Sequence, residues 1–260
     1  GAIARLPFGA GADVAVACGK GGSSAYVAKV LRDHGFGAMS LAGGMIAWGD
    51  AYDVHQVVDR PDLTLLQFDR YGKGCLSYLI GSGNEAIVVD PGRHYGQNVD
   101  EAARRGWRIV HVVDTHLHAD HISGAVPLAA QTGAMYHLHN ADSVGGKLPA
   151  APLAGVLQLG DVVVEVVKEH TPGHTPGSTS LIVDGLYLIS GDTLFVNSVG
   201  RPDLGGHVDE WAHDLYWSLV NKVRSLDDET LVLPAHYASQ AEVRPDGVVA
   251  GTLGRIRENN

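Results

Sequence analysis

Within the short stretch His116–His121, three imidazoles and one carboxylate follow one another as H-x-H-x-D-H (His116, His118, Asp120, His121). Neutral imidazole and carboxylate are the donors that zinc and the first-row transition metals accept, so the first chemistry this pattern offers is metal binding. Further donors stand apart in the chain but in matching settings. His174 lies in the Pro/Gly-rich stretch His170–Ser178, Asp192 follows the apolar run LYLIS, and His236 follows LVL through Pro234 and Ala235. Each breaks out next to a run that reads as a strand, and a loop held by a rigid strand is where functional side chains are commonly presented. A polar loop with water-facing histidines would explain the first cluster alone. It would not explain three more donors in the same kind of setting.

Other residues offer less. Arg201, in Gly200-Arg201-Pro202-Asp203, presents a guanidinium fork for a substrate carboxylate, with an ion pair to Asp203 as the equal alternative. Asp90 closes the run Val88-Val89 and reads as a carboxylate supporting the neighbouring loops by hydrogen bonds. His137 and His139 alternate along a strand and read as a satisfied pair on one face. Cys18 and Cys75 are the only cysteines, so no disulfide framework is expected and a reducing compartment is the simpler setting. Cys75 sits in an apolar strand and reads as a buried inert thiol.

The elements that must position these residues follow from periodicity. Asp13–Cys18 reads as a buried strand, Gly19–Ser24 as a glycine-rich turn, and Ala25–His34 as a helix stopped by Gly35. A short strand at Ala38–Leu41 and a helix after Gly43-Gly44 complete a unit too small to enclose its own core. From Leu63 the texture changes. Strands are expected at Leu63–Phe68, Cys75–Ile80, Ala86–Asp90, Arg108–Thr115, Val162–Val167, Thr179–Val183, Leu186–Ser190 and Leu231–Leu233, with helices at Asn98–Gly106 and Asp209–Ser225. Strands recurring in both halves with helices between them predict two sheets packed face to face with helices outside, an αββα sandwich in the α/β class. The expected division is 1–53 for the small unit, 54–62 for a linker and 63–260 for the main domain. The pattern reads as a chain cut at both ends.

Composition limits the partners. The net charge is −10, from 19 Lys and Arg against 29 Asp and Glu, which excludes the basic footprint a nucleic-acid partner requires. No apolar run reaches the roughly 20 residues a membrane span needs, and the first residues do not form a secretory signal. A soluble cytoplasmic protein acting on a small molecule is expected.

The order H-x-H-x-D-H, lone His, lone Asp, last His resembles the metallo-β-lactamase superfamily from about Leu63 onward. The finer wording, His116-x-His118-Ala119-Asp120-His121-Ile122-Ser123-Gly124 with Gly191-Asp192-Thr193-Leu194-Phe195 and Gly200-Arg201-Pro202-Asp203, is similar to its persulfide dioxygenase (ETHE1-like) branch. That resemblance implies one Fe(II) per chain on His116, His174 and Asp192, a 2-His-1-carboxylate face with open positions. It implies a thiol persulfide such as glutathione persulfide as substrate, with O2, and sulfite as product. His118, Asp120, His121 and His236 would orient ligands and bind water, whereas in hydrolase branches they help to build a two-metal site. The alternative is therefore a dinuclear Zn(II) thioester hydrolase of the glyoxalase II type. A homodimer is compatible with either.

The first residues carry a resemblance of their own. Cys18-Gly19-Lys20-Gly21-Gly22-Ser23-Ser24, Gly35-Phe36, Leu41-Ala42-Gly43-Gly44-Met45 and Ala47-Trp48 are similar to the C-terminal half of a rhodanese domain. The resemblance implies a Cys18 thiol activated by backbone N–H groups at a helix N-terminus. Ser23 stands where many rhodaneses carry Arg, and both an active and a silent Cys18 remain open.

Overall fold

The computed structural model describes residues 2–9 and 11–259; Gly1 and Asn260, the outer bounds of the expected domains, lie outside the described residues. The chain divides into two compact units, Gly1–Asp53 with Arg70–Lys73, and Val54–Asp69 with Gly74–Asn260.

In the smaller unit β1 (Asp13–Val16) and β2 (Gly37–Ser40) pair in parallel through α1 (Gly22–Arg32), and α2 (Gly44–Gly49) follows. Ala28 and Leu31 of α1 close on Phe36 and Ala38, with Val14 and Val16 packed beside them. Gly44 is required at its position. Its φ is +65°, and a Cβ there would stand 2.1 Å from the Cys18 carbonyl oxygen. That close approach lets the Met45 N–H bond the Cys18 carbonyl at 2.8 Å, locking the Cys18 loop to the start of α2.

The larger unit has two sheets. The first contains, in spatial order, β3 (Asp53–Arg60), β4 (Leu63–Arg70), β5 (Cys75–Ser82), β6 (Glu85–Val89), β7 (Arg108–Val113), β8 (Met135–Leu138) and β9 (Ala151–Pro152). The second contains β10 (Val156–Leu159), β11 (Val162–Val166), β12 (Leu181–Val183), β13 (Tyr187–Gly191), β14 (Leu231–Pro234) and β15 (Gly251–Thr252). Helices α3 (Gly96–Arg104) and α4 (Ala125–Thr132) pack on β7, while α5 (Val208–Asn221) and α6 (Leu253–Asn259) belong to the second half.

Strand alternation shows how the layers form. Leu181, Val183, Ile189 and Leu233 point inward against Ile80, Ile87, Val89 and Val113 of the first sheet. Their chain neighbours Ile182, Leu188 and Val232 point outward, onto Val223, Leu253 and Ile256. Both faces of the second sheet are therefore covered, and the architecture is the expected αββα sandwich. The polar group at its centre is satisfied: Gln67 exchanges bonds with the Val249 backbone (2.8 and 3.0 Å) and donates to Tyr78, whose hydroxyl donates to the Pro234 carbonyl at 2.5 Å.

Three sequence expectations need correction. Most of the expected linker 54–62 is strand β3, because Val57 and Val58 reach the core and Pro61-Asp62 turns the chain into β4. The long helix stops at Asn221, and a 3-10 turn at Val223–Ser225 follows. His137 and His139 do not form a pair on one face: β8 ends at Leu138, His137 meets His111 at 2.9 Å, and His139 stacks on His170 with ring centroids 4.4 Å apart.

Candidate metal centre

The centre is assembled at the C-terminal ends of strands, where open α/β sheets usually place ligands. β7 runs parallel to both β6 and β8 and leaves the sheet directly into Asp114-Thr115-His116. Asp90, just past β6, adopts φ +53° and accepts both the Thr115 N–H (2.7 Å) and the Thr115 hydroxyl (2.8 Å). Asp142 joins two loops that lie far apart in sequence. Its carboxylate accepts the Leu117 N–H, the Thr175 hydroxyl and the Gly177 N–H at 2.8, 2.6 and 2.8 Å, tying the His116 loop to the His174 loop.

His116, His174 and Asp192 come together, all buried. The two Nε2 atoms lie 3.8 and 3.4 Å from Asp192 Oδ2, and the rings meet edge to face. The hydrogen-bond inventory fixes both tautomers. His174 Nδ1 lies 3.1 Å from the Arg201 carbonyl, which can only accept, so Nδ1 carries the hydrogen. Thr115 spends its one hydroxyl hydrogen on Asp90, so its oxygen must accept from His116 Nδ1 at 3.0 Å. Both Nε2 lone pairs therefore face a carboxylate oxygen with no hydrogen between them. His116 Nε2 is fully buried and has no hydrogen-bond partner. Burial, reinforced by the neighbouring His118, pushes His116 down to about 3, which keeps its imidazole neutral at ordinary pH. Burial would raise Asp192, but the His236 hydrogen bond and the surrounding imidazoles hold it at about 2. Two lone pairs and a carboxylate converging in a buried site fit a cation.

The remaining histidine-rich residues have other partners. His118 turns Nε2 to Asp90 (3.2 Å) and Asp114 (3.8 Å), and its Nδ1 is buried with no hydrogen-bond partner. Asp114 is itself held by Ser123 and Tyr136, and burial raises it to about 6. His236 donates from Nδ1 to Asp192 (2.6 Å) and approaches Asp120 with Nε2 (2.9 Å), while His121 meets the other Asp120 oxygen at 3.2 Å. Burial opposes the charged forms of both imidazoles, yet Asp120 outweighs it and raises His121 to about 9 and His236 further. Cys75 corrects the expectation of an inert thiol: it is half-buried beside this group, 3.7 Å from Asp120.

A cleft of about 490 Å³ opens onto Asp192, His174, Asp120 and His236, with Phe195, Val199 and Leu204 as its apolar wall. Arg201 stands at its rim, exposed, and chelates Asp203 through two bonds of 2.7 and 2.6 Å. In the smaller unit the Cys18 sulfur accepts the N–H groups of Gly21 (3.1 Å) and Ser24 (3.4 Å). With the Ser24 side chain as the largest influence, these contacts lower the thiol to about 7. Thr115, Asp114 and Asp142 carried no signal at the sequence level. Their roles depend on hydrogen bonds between loops, and only Asp114, at the end of a strand leading into the histidines, had a setting that could have marked it.

The sequence profile of the metallo-beta-lactamase superfamily matches residues 70–236, and the chain belongs to that superfamily. It is 33% identical over 195 residues to a hydroxyacylglutathione hydrolase of Polaromonas sp. (strain JS666), covering 68% of this chain and 70% of the relative. Among solved structures it is similar to ETHE1 from Myxococcus xanthus, with 27% identity and a TM-score of 0.62 over 81% of this chain and 83% of the other. It is also similar to the protein TTHA1623 in a di-iron-bound form, at 28% identity and a TM-score of 0.56 over 72% of this chain and 93% of the other. The protein is thus a metal-binding enzyme of this superfamily. Among the described residues no helix is long and apolar enough to cross a membrane.

Proposed function

We propose that the chain is a persulfide dioxygenase that holds one Fe(II) on His116, His174 and Asp192. The net reaction would be R-S-SH + O2 + H2O giving R-SH and sulfurous acid, which ionises to sulfite. The observation that supports this reading is the hydrogen-bond inventory: the Nε2 lone pairs of His116 and His174 and one carboxylate are turned toward one another, while His118 is held by Asp90 and Asp114 through Nε2, its buried Nδ1 having no hydrogen-bond partner. Two imidazoles and one carboxylate are the facial donor set of non-haem iron oxygenases. Iron bound there supplies the redox chemistry that activates O2 toward the outer sulfur.

The protein's own groups do the rest. Phe195, Val199 and Leu204 keep the cleft apolar beside the donors, which favours a sulfur-bearing substrate over water. Arg201 is placed to bind a carboxylate of a glutathione-like carrier by exchanging its Asp203 partner. His236 holds protons between Asp192 and Asp120, which keeps the triad carboxylate oriented. The Cys18 cradle supports sulfur transfer as a second activity of the small unit, as the rhodanese resemblance implies.

A second reading has its own support. The Polaromonas relative is named a hydroxyacylglutathione hydrolase, and Asp120, His121 and His236 lie together near Asp192. A dinuclear zinc site there would cleave a glutathione thioester through a bridging hydroxide. Metal analysis after anaerobic purification, paired with O2 uptake on glutathione persulfide, separates the two. About one iron per chain with O2 uptake supports the dioxygenase. Two zinc ions, thioesterase activity and no O2 uptake would overturn it.

A further inference from the structure

The stretch that leads to His174 builds little structure of its own. Lys168 and Glu169 turn the chain with φ of +39° and +75°, conformations that residues with a side chain rarely adopt. Pro172 and Pro176 then remove two backbone donors. Among the described residues the His170 and Pro172 carbonyls find no backbone donor, and each is met by one side chain from α5 or its C-terminal cap. Lys222 Nζ donates to the His170 carbonyl at 2.6 Å, and Ser218 Oγ donates to the Pro172 carbonyl at 2.8 Å. Lys168 Nζ returns a bond to the Asn221 carbonyl, at the end of α5, at 3.1 Å. Gly173 completes the contact: a Cβ there would stand 2.3 Å from the Leu215 N and Cα atoms, so its backbone lies directly on the helix. Leu215 and Ser218 are the buried residues of α5, and both meet this stretch.

We propose that Ser218 and Lys222 are positioning residues for His174, so that α5, which supplies no donor to the centre, sets how closely His174 Nε2 approaches Asp192. The proposal rests on His174 serving as a ligand of the triad, as in the reading above, and not on which reaction the triad serves. Ser218 carries most of it. A serine inside a helix ordinarily faces water or bonds the carbonyl four residues back. Ser218 is 0% exposed, and its hydroxyl leaves the helix for Pro172, two residues before His174. Lys222 acts four residues before His174, its ammonium 5.9 Å from the centroid of the Trp217 ring. On the other side the ligand has one anchor, the bond from His174 Nδ1–H to the Arg201 carbonyl at 3.1 Å. The imidazole is therefore held between that carbonyl and a backbone fixed from α5. A slack backbone lets the Arg201 bond lengthen, and the preference for hydrogen on Nδ1 goes with it. Hydrogen on Nε2 would occupy the nitrogen that faces Asp192 at 3.4 Å, the one a cation needs.

The test uses the full chain with Ser218→Ala, Lys222→Met and Lys222→Arg. Two quantities are read: Fe(II) affinity by chelator competition, and the His174 tautomer in the metal-free protein by nitrogen-15 NMR of labelled histidines, with His174→Gln to assign the signal. Ser218→Ala and Lys222→Met should each lower Fe(II) affinity about 10–100-fold, the usual effect of removing a group that orients a ligand. Both should also turn a single Nδ1–H form of His174 into a mixture of tautomers. Lys222→Arg keeps a donor for the His170 carbonyl and should restore affinity and tautomer together. Lys222 is only half-buried, so its variants decide the question should Ser218→Ala not fold. Wild-type affinity with an undisturbed Nδ1–H tautomer in folded Ser218→Ala or Lys222→Met would overturn the proposal. So would a loss in Lys222→Met that Lys222→Arg does not restore. The tautomer is read without metal, so it still decides this proposal where the wild type takes up no iron and the dioxygenase reading fails.

Discussion

Thr115 is the residue on which the triad's chemistry turns without touching a metal. Its hydroxyl donates to Asp90 at 2.8 Å and accepts from His116 Nδ1 at 3.0 Å, so it alone sets which His116 nitrogen keeps a lone pair for the centre. Thr115→Val preserves shape and removes both bonds. The lost bond to the charged Asp90 is worth about 1.5–3 kcal/mol, and His116 Nδ1 is left buried without a partner, at a further cost of about 1–3 kcal/mol. Asp90 keeps the Thr115 N–H at 2.7 Å and His118 at 3.2 Å, so relaxation should hold the net loss of stability near the lower end, about 2–3 kcal/mol. Freed of Thr115, His116 can place its hydrogen on Nε2, and metal affinity at the triad should fall about 10–100-fold. Thr115→Ser keeps the hydroxyl and should restore most of that affinity. The assays are urea unfolding of the metal-free protein and chelator competition for Fe(II). Wild-type affinity in a folded Thr115→Val protein would refute the tautomer argument.

Asp192→Ala removes the only carboxylate of the triad, so iron content and O2 uptake on glutathione persulfide should both fall to background while circular dichroism shows the fold intact. Arg201→Ala should mainly raise KM, by the about 10–150-fold that corresponds to losing a charge-assisted bond of about 1.5–3 kcal/mol. Unchanged kinetics in that variant would assign Arg201 to its Asp203 pair alone. Cys18, with its thiol lowered to about 7, reacts as thiolate, so its alkylation should accelerate with rising pH up to about pH 7 and then level off. Measured in a Cys75→Ser background, a rate still climbing above pH 8 would show that the Gly21 and Ser24 N–H groups do not hold the sulfur in solution. Cys18→Ser should leave oxidation of supplied glutathione persulfide intact, and a halt in O2 uptake would make that thiol an obligatory carrier.

What could be read from the chain tracks how local its cause is. Strands β4 to β7 and β11 to β14 show as apolar runs, because residues buried on both faces leave no polar gap. β3 could not be seen: in DVHQVVDR only Val57 and Val58 meet the core, and the rest of the strand is edge surface. β9 and β15 have two residues each and exist only through their neighbours' hydrogen bonds. Helix α4 was missed for a different reason. Pro127 sits in AVPLAAQT and argues against a helix, yet it occupies the first turn, where a missing N–H costs little. At the site, the types of the donors were legible because Asp192 and His236 follow apolar runs, the His116 cluster ends one, and His174 stands in a Pro/Gly-rich stretch between two strands. Their grouping was not, since Asp142 joins two loops more than twenty residues from either side of it in sequence.

The same residues can in principle hold one metal or two, and the choice lies in how hydrogens are distributed rather than in which side chains are present. His118 shows this. Its Nε2 bonds Asp90, which leaves the lone pair on Nδ1, buried and without a hydrogen-bond partner; a metal that took this nitrogen along with the triad would have a third imidazole, and the facial set would become a zinc-like one. Two carboxylates, Asp90 and Asp114, lie against Nε2 in the interior and fix the ring, because releasing it would leave buried charge without its partner. Asp114 is fixed in turn by Ser123 and Tyr136, so the restraint reaches back into the helix and strand that follow the motif. Whether the triad takes His118 as a further donor therefore turns on a ring held in place by groups that never approach the metal.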